Sequence, residues 1–224
     1  MSLPEITSRE QWAVARRELL VKEKAHTRAR DALNADRRRL PMVAIDQDYL
    51  FNGPNGQVRL LDMFEGHDQL IVQHVMYGPD WANVCPGCTA SLDEMSPALF
   101  QHMRSRATAY AAVSRAPFAK LAASKESNGW EFPWYSSFGS DFNRDFEATV
   151  PDDQGQPAEQ PGVSCFLRDG DRVFHTYSTY ARGTDQLGSA YSWLDLTALG
   201  RSEDWEEPKG RVAKPHGADP TFSD

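Results

Sequence analysis

Gln69-Leu70-Ile71-Val72-Gln73-His74-Val75-Met76-Tyr77, closed by Gly78-Pro79 and followed by Cys85-Pro86-Gly87-Cys88, is the stretch that decides the fold. Its first part is short, β-branched and largely apolar, as a buried strand is, and Gly-Pro stops it as turn residues do. Downstream, Leu92, Met95, Leu99 and Met103 recur at three- and four-residue intervals, which predicts one helix beginning near Cys88. The two thiols then stand at the head of a helix. Unpaired amides and the positive end of the helix dipole favour a thiolate there, so Cys85 is the expected nucleophile, with a lowered pKa, and Cys88 the resolving thiol.

The rest of the composition fits that chemistry. The chain has 224 residues, enough for one large domain with extensions, and its 40% apolar and 25% charged content is ordinary for a globular protein. No charged-then-apolar leader opens it and no apolar run approaches the roughly 20 residues that cross a bilayer, so a cytoplasmic location without membrane contact is expected. Three cysteines make a poor disulfide scaffold, and in a reducing compartment a close Cys-x-x-Cys is more often catalytic or metal-binding than structural.

The net charge of −8 is unevenly spread. Residues 9–40 hold ten of the 24 Lys/Arg and five of the 32 Asp/Glu, which leaves −13 on the remainder. An acidic body is a poor nucleic-acid surface, and the basic segment is interleaved with acids, so no nucleic-acid partner is expected.

Two overlapping capping boxes, Thr7 with Glu10 and Ser8 with Gln11, predict a helix that runs to Leu40 and stops before Pro41. Trp12, Leu19, Leu33 and Leu40 fall on a seven-residue spacing, with His26 in the gap. That thin stripe makes an arm, expected to lie on its own body, with a homodimer through the helix as the alternative. Met42 to Phe51 and Val58 to Phe64 read as a hairpin about Asn52-Gly53-Pro54-Asn55-Gly56. Beyond the thiols come a strand at Ala107 to Val113, a helix around Phe118 to Ser127 and an extended aromatic stretch from Trp130 to Phe138. Pro151 to Pro161 reads as a surface loop, and Val163 to Leu167 with Arg172 to Tyr177 as a hairpin about Asp169-Gly170. A short helix near Trp193 to Leu199 is expected to close the fold.

The order strand, redox helix, strand, helix, antiparallel hairpin, helix is that of an α/β, thioredoxin-like three-layer sandwich, a mixed central sheet with helices on both faces. The expected division is an N-terminal helical extension over 1–40, the thioredoxin-like domain over 41–200, and a charged, extended C-terminal tail over 201–224.

The residues also carry a family resemblance. Arg28-Ala29-Arg30-Asp31-Ala32-Leu33, Arg38-Arg39-Leu40-Pro41-Met42-Val43, Gly78-Pro79-Asp80-Trp81 before Cys85-Pro86-Gly87-Cys88, Val113-Ser114-Arg115-Ala116-Pro117, Phe132-Pro133-Trp134, Gly139-Ser140-Asp141-Phe142-Asn143 and Phe174-His175-Thr176-Tyr177 follow in one order. In these the chain resembles the DUF899 family of thioredoxin-like proteins. The resemblance implies that fold and a dithiol-disulfide oxidoreductase role. Two departures from better-understood relatives of the fold stand out. Thioredoxin-type hairpins are entered through a cis-proline facing the Cys-x-x-Cys, whereas here Pro161 precedes Gly162 and Val163 stands nearer that place. Peroxiredoxins carry Pro-x-x-x-Thr/Ser-x-x-Cys at their reactive thiol, and Gly78 and Ala82 occupy those positions here.

The expected activity is thiol-disulfide exchange through Cys85 and Cys88, with Pro86 and Gly87 shaping the motif. Trp81 is a candidate for the substrate groove, Asp80 for a proton shuttle and Arg115 for stabilising a thiolate or anion. Each also has a plainer reading: packing, a turn aspartate, a surface salt bridge. The substrate is a disulfide-bearing protein or small molecule, reset by a reducing partner such as a thioredoxin or glutathione system, and no bound cofactor is needed. Three alternatives stay open. They are a zinc site completed by Cys165, His74, His102 or His175, a binding or redox-sensor module, and a thiol peroxidase. No second Cys-x-x-Cys or close His pair supplies zinc ligands, so no metal is expected, and Cys165 reads as a core thiol.

Overall fold

Along Gln69–His74, Leu70, Val72 and His74 are buried while Ile71 and Gln73 are half-buried, so this strand lies between two cores. The computed structural model describes residues 3–212. In chain order its elements are α1 (Arg9–Arg37), β1 (Val43–Ala44), β2 (Leu50–Gly53), β3 (Gly56–Arg59), a 3-10 turn (Leu60–Phe64), β4 (Gln69–His74), α2 (Pro86–Asp93), α3 (Pro97–Arg104), β5 (Thr108–Ser114), α4 (Phe118–Asn128) and β6 (Trp134–Ser136). There follow α5 (Phe142–Asp145), β7 (Thr149–Pro151), β8 (Pro157–Glu159), β9 (Gly162–Asp169), β10 (Arg172–Tyr180), a 3-10 segment (Ala181–Leu187) and α6 (Ser189–Leu194).

Eight strands form one mixed sheet in the order β1-β10-β9-β4-β5-β6-β2-β3, and β7 pairs with β8 apart from it. β4, β5 and β6 are parallel, and β9 joins β4 antiparallel, with Ile71 opposite Cys165 and His74 opposite Gly162. On one face, Leu70, Val72, Phe64, Phe142 and Phe166 pack beneath the Leu60–Phe64 turn and α5. On the other, Cys88, Leu92, Phe100, Tyr110, Leu121 and Trp134 pack beneath α2, α3 and α4. Helices thus cover both faces, the three-layer α/β sandwich expected.

Several elements differ in detail. The helix expected to run on from Cys88 is two helices, because Ser96 caps a new one through the Leu99 amide at 3.3 Å and Pro97 takes its first position. The strand expected over Val58 to Phe64 ends at Arg59, where the Asp62 carboxylate accepts from the Arg59 amide and a 3-10 turn buries Leu60, Met63 and Phe64. Only Val43–Ala44 and Leu50–Gly53 of the first extended stretch are strand, and they lie near opposite edges of the sheet. The closing helix comes earlier than expected. The Glu94 carboxylate accepts from the amides of Ser189 and Ala190 and fixes its start.

The Ser8 capping box holds the start of α1, which ends at Arg37 rather than Leu40. None of its residues is buried, and its C-terminal end meets the body where Arg37 lies over the Tyr177 ring. Residues 201–212 contain neither helix nor strand, yet they are anchored: Arg201 bonds Asp185 at 2.9 Å and Asp195 at 2.8 Å over the Tyr191 ring. The rest of the expected tail, 213–224, lies outside the described residues.

Candidate redox site

β4 delivers the chain to the C-terminal end of the parallel strands, where the thiols sit. Cys85 is the N-cap of α2 in an extended conformation (φ −52°, ψ 131°), and Pro86, which lacks an amide to satisfy, takes the first helical position. Met76, just past β4, holds both cysteines: its carbonyl accepts from the Cys85 amide at 3.1 Å, and its amide donates to Cys88 Sγ at 3.4 Å. Thr89 donates from amide and hydroxyl to the Cys85 carbonyl at 2.9 and 3.1 Å. Cys85 is half-buried and Cys88 buried. A reachable thiol at a helix head, with a second one turn deeper, is the geometry thiol-disulfide exchange uses.

Behind Cys88 lies a buried polar chain. The Tyr110 hydroxyl donates to Gln73 Oε1 at 2.6 Å, and Gln73 Nε2 donates to Ser91 Oγ at 3.2 Å, one turn beyond Cys88 on α2. Burial, and secondarily the nearby Cys88 charge, push the Tyr110 phenol far above its ordinary range, so it stays protonated. Alternation of the β4 and β5 side chains gives no hint of this chain, because Gln73 and Tyr110 meet only across strands.

The loop from Gly78 to Val84 carries two of the expected supporting residues. A Cβ on Gly78 would lie 2.9 Å from Trp81 Cδ1 and Nε1, so glycine is what lets the indole rest against the backbone. Trp81 is exposed, as are Asp80 and Pro86, while Gly87 is half-buried. Lys120 of α4 pins the loop, donating to the carbonyls of Pro79 at 2.6 Å and Trp81 at 3.0 Å. Sequence reading missed Lys120, since a lone lysine on a helix carries no signal.

Arg115 stands at the end of β5, but its guanidinium is engaged by Glu159, at 2.6 Å from Nε and 2.5 Å from Nη2. The pair is no surface salt bridge, with side chains 19% and 2% exposed, and Thr149 donates to the other Glu159 oxygen at 3.1 Å.

The candidates for zinc do not converge. His74 points to the opposite sheet face from Cys88 and bonds Ser164 Oγ at 2.8 Å, in a chain continuing through Ser178 to His175. Burial, helped by His175, lowers the His74 pKa to about 3, so it is neutral. Among the described residues no group of three or more His, Cys, Asp or Glu is placed to hold a metal. Burial pushes the Cys165 thiol up to about 11, so it stays protonated at neutral pH. Among the described residues the only cis peptide is Glu207–Pro208; Gln160–Pro161 is trans.

The family model of DUF899, described as bacterial protein of unknown function, matches residues 1–217. No curated protein matches the chain. Among solved structures, peroxiredoxin Q of Xanthomonas campestris is similar with a TM-score of 0.51 and 16% identity, covering 67% of this chain and 95% of that one. The bacterioferritin comigratory protein of the same organism, described for its alkyl peroxide reduction activity, gives 0.50 and 16%, covering 67% and 96%. At such identity the likeness concerns the fold, which is thioredoxin-like. Among the described residues no helix is long and apolar enough to cross a membrane.

Proposed function

The chain belongs to the DUF899 family, and we propose that it is a dithiol-disulfide oxidoreductase working through Cys85 and Cys88. The observation that carries the reading is the pairing of a half-buried Cys85 at the N-cap of α2 with a buried Cys88 one turn inside, both held by Met76. The Cys85 thiolate attacks one sulfur of a substrate disulfide, forming a mixed disulfide and expelling a substrate thiolate. Cys88 then loses its proton and attacks Cys85 Sγ, releasing the second substrate sulfur. Two electrons have passed to the substrate, and Cys85 and Cys88 are left as a disulfide.

The Met76 amide, aimed at Cys88 Sγ, stabilises negative charge on that sulfur as it becomes the attacking thiolate. Exposed Trp81 offers an apolar face at the same edge of the sheet. A thioredoxin or glutathione system is the class of partner that would return the electrons, in a reducing, cytoplasmic setting. Zinc loading has less support, because His74 faces the other core.

A second reading, thiol peroxidase, draws on the fold shared with peroxiredoxin Q. There Cys85 would attack a peroxide oxygen, releasing an alcohol or water and becoming a sulfenic acid, which Cys88 would condense to the disulfide with loss of water. Gly78 and Ala82, standing where peroxiredoxins carry proline and a hydroxyl, count against it. Stopped-flow oxidation of the reduced protein separates the two. Rapid oxidation by a model protein disulfide with sluggish oxidation by dilute peroxide supports exchange, and the reverse order supports the peroxidase.

A further inference from the structure

α1 spans 29 residues without one that is buried, a rod of about 44 Å at 1.5 Å per residue. Helices in proteins owe most of their stability to covering an apolar face, and isolated ones are marginal in water. α1 has such a face, and it is bare. Trp12 and Leu19, two turns apart on one side, are 57% and 49% exposed. Arg9, Arg16 and Lys22 flank them at three- and four-residue offsets. Arg16 holds Glu23 at 2.9 Å through Nη2.

The C-terminal segment presents a surface of the opposite character. Trp193 and Leu196 are 72% and 79% exposed, and Leu187, just before α6, is exposed as well. Acidic residues accompany them: Asp195 between the two, then Glu203-Asp204-Trp205-Glu206-Glu207. The patch is firmly mounted, because Glu94 caps the start of α6 and Arg201 ties Asp195 to Asp185.

We infer that α1 of one copy of this chain docks on the α6 patch of a second copy, reciprocally, forming a two-fold dimer. Charge argues for this occupant. Residues 9–40 carry ten Lys/Arg against five Asp/Glu while the remainder carries −13, so two bodies repel and the arm is the part of the chain that attracts one. Within its own chain the foot of α1 is set by Arg37 over the Tyr177 ring, and Trp12 lies roughly 37 Å further along the rod. A second copy brings the same basic stripe and the same acidic-rimmed patch, so one two-fold axis satisfies both pairs. Covering the exposed parts of Trp12, Leu19, Trp193, Leu196 and Leu187 removes roughly 600 Å² per contact, and two contacts reach the roughly 1,200 Å² at which stable interfaces begin.

The test is the mass of the full-length protein by light scattering during gel filtration, for wild type, Leu19→Glu and Leu196→Glu. Wild type is expected at twice the 25.2 kDa of the chain, weakening as salt is raised, and each variant alone as a monomer. Mixing the two variants restores one of the two contacts, the unaltered arm of the Leu196→Glu chain on the unaltered patch of the Leu19→Glu chain, so a heterodimer weaker than the wild-type dimer appears as concentration is raised. A monomeric wild type overturns the inference, as does a Leu196→Glu protein that stays dimeric. A Leu196→Glu protein that stays dimeric is what arm pairing with arm predicts, and loss of the dimer in both variants without any recovery on mixing, even at raised concentration, also overturns the inference. Cys85 reactivity toward a thiol reagent, unchanged in both variants, verifies that the body has folded.

Discussion

The backbone amide of Met76 donates to Cys88 Sγ at 3.4 Å. The contact ties the inner thiol of the motif to the end of β4 and leaves the outer thiol nearer solvent. In the proposed function, attack falls to Cys85 and resolution to Cys88. With Cys88→Ser, resolution has no nucleophile, so the mixed disulfide accumulates. Incubation with a disulfide substrate should give a species heavier by one substrate half, seen by mass spectrometry without reductant and lost when reductant is added. Wild type should show little of it at steady state.

Tyr110 and Gln73 form the polar floor beneath the thiols. Tyr110→Phe removes the donor and leaves Gln73 Oε1 without that partner inside the protein, which should cost about 1–3 kcal/mol. Urea unfolding measures it. A loss near zero would mean that Gln73 finds another donor.

Glu159 is 2% exposed and Arg115 19%, so breaking their pair strands a charge. Glu159→Ala should destabilise by about 3–5 kcal/mol, whereas Arg115→Met with Glu159→Leu together should come within about 1 kcal/mol of wild type. Denaturant midpoints at neutral pH decide between this and a dispensable pair.

His74 fixes a pH dependence. Burial lowers its pKa from 6.5 to about 3, so between those values the unfolded chain binds the proton and the folded chain does not. Stability from this group is complete above pH 6.5 and is lost as pH falls toward 3, at no more than about 1.4 kcal/mol per unit. His74→Gln should flatten the fall between pH 6.5 and 5, before most carboxylates titrate. An unfolding series over that range that runs parallel in the two proteins would contradict the assignment.

Local patterns made much of this molecule legible. β4 was readable from its apolar run, and the β9 and β10 hairpin from Asp169-Gly170, where Gly170 takes φ +59°. The thiols were readable from their spacing. The break between α2 and α3 was written in Ser96-Pro97, but the apolar stripe from Leu92 to Met103 runs across it and hides it. β8 lay inside the polar stretch Pro151 to Pro161 that reads as loop, β7 ran up to its start at Pro151, and Asp152, accepting from the Gln154 and Gln156 amides, makes their turn. Arg115 with Glu159, Lys120 under the Trp81 loop, and Val43–Ala44 opposite His175 and Phe174 join residues distant in sequence, and no periodicity encodes such partners.

The central claim is that Cys85 is the attacking thiol. Its most direct test is the rate at which the reduced protein reduces a model protein disulfide, compared between wild type and Cys85→Ser under the same reducing system. The variant should be slower by at least about 100-fold, since a serine hydroxyl is a far weaker nucleophile than a thiolate at neutral pH. Equal rates would place the chemistry elsewhere.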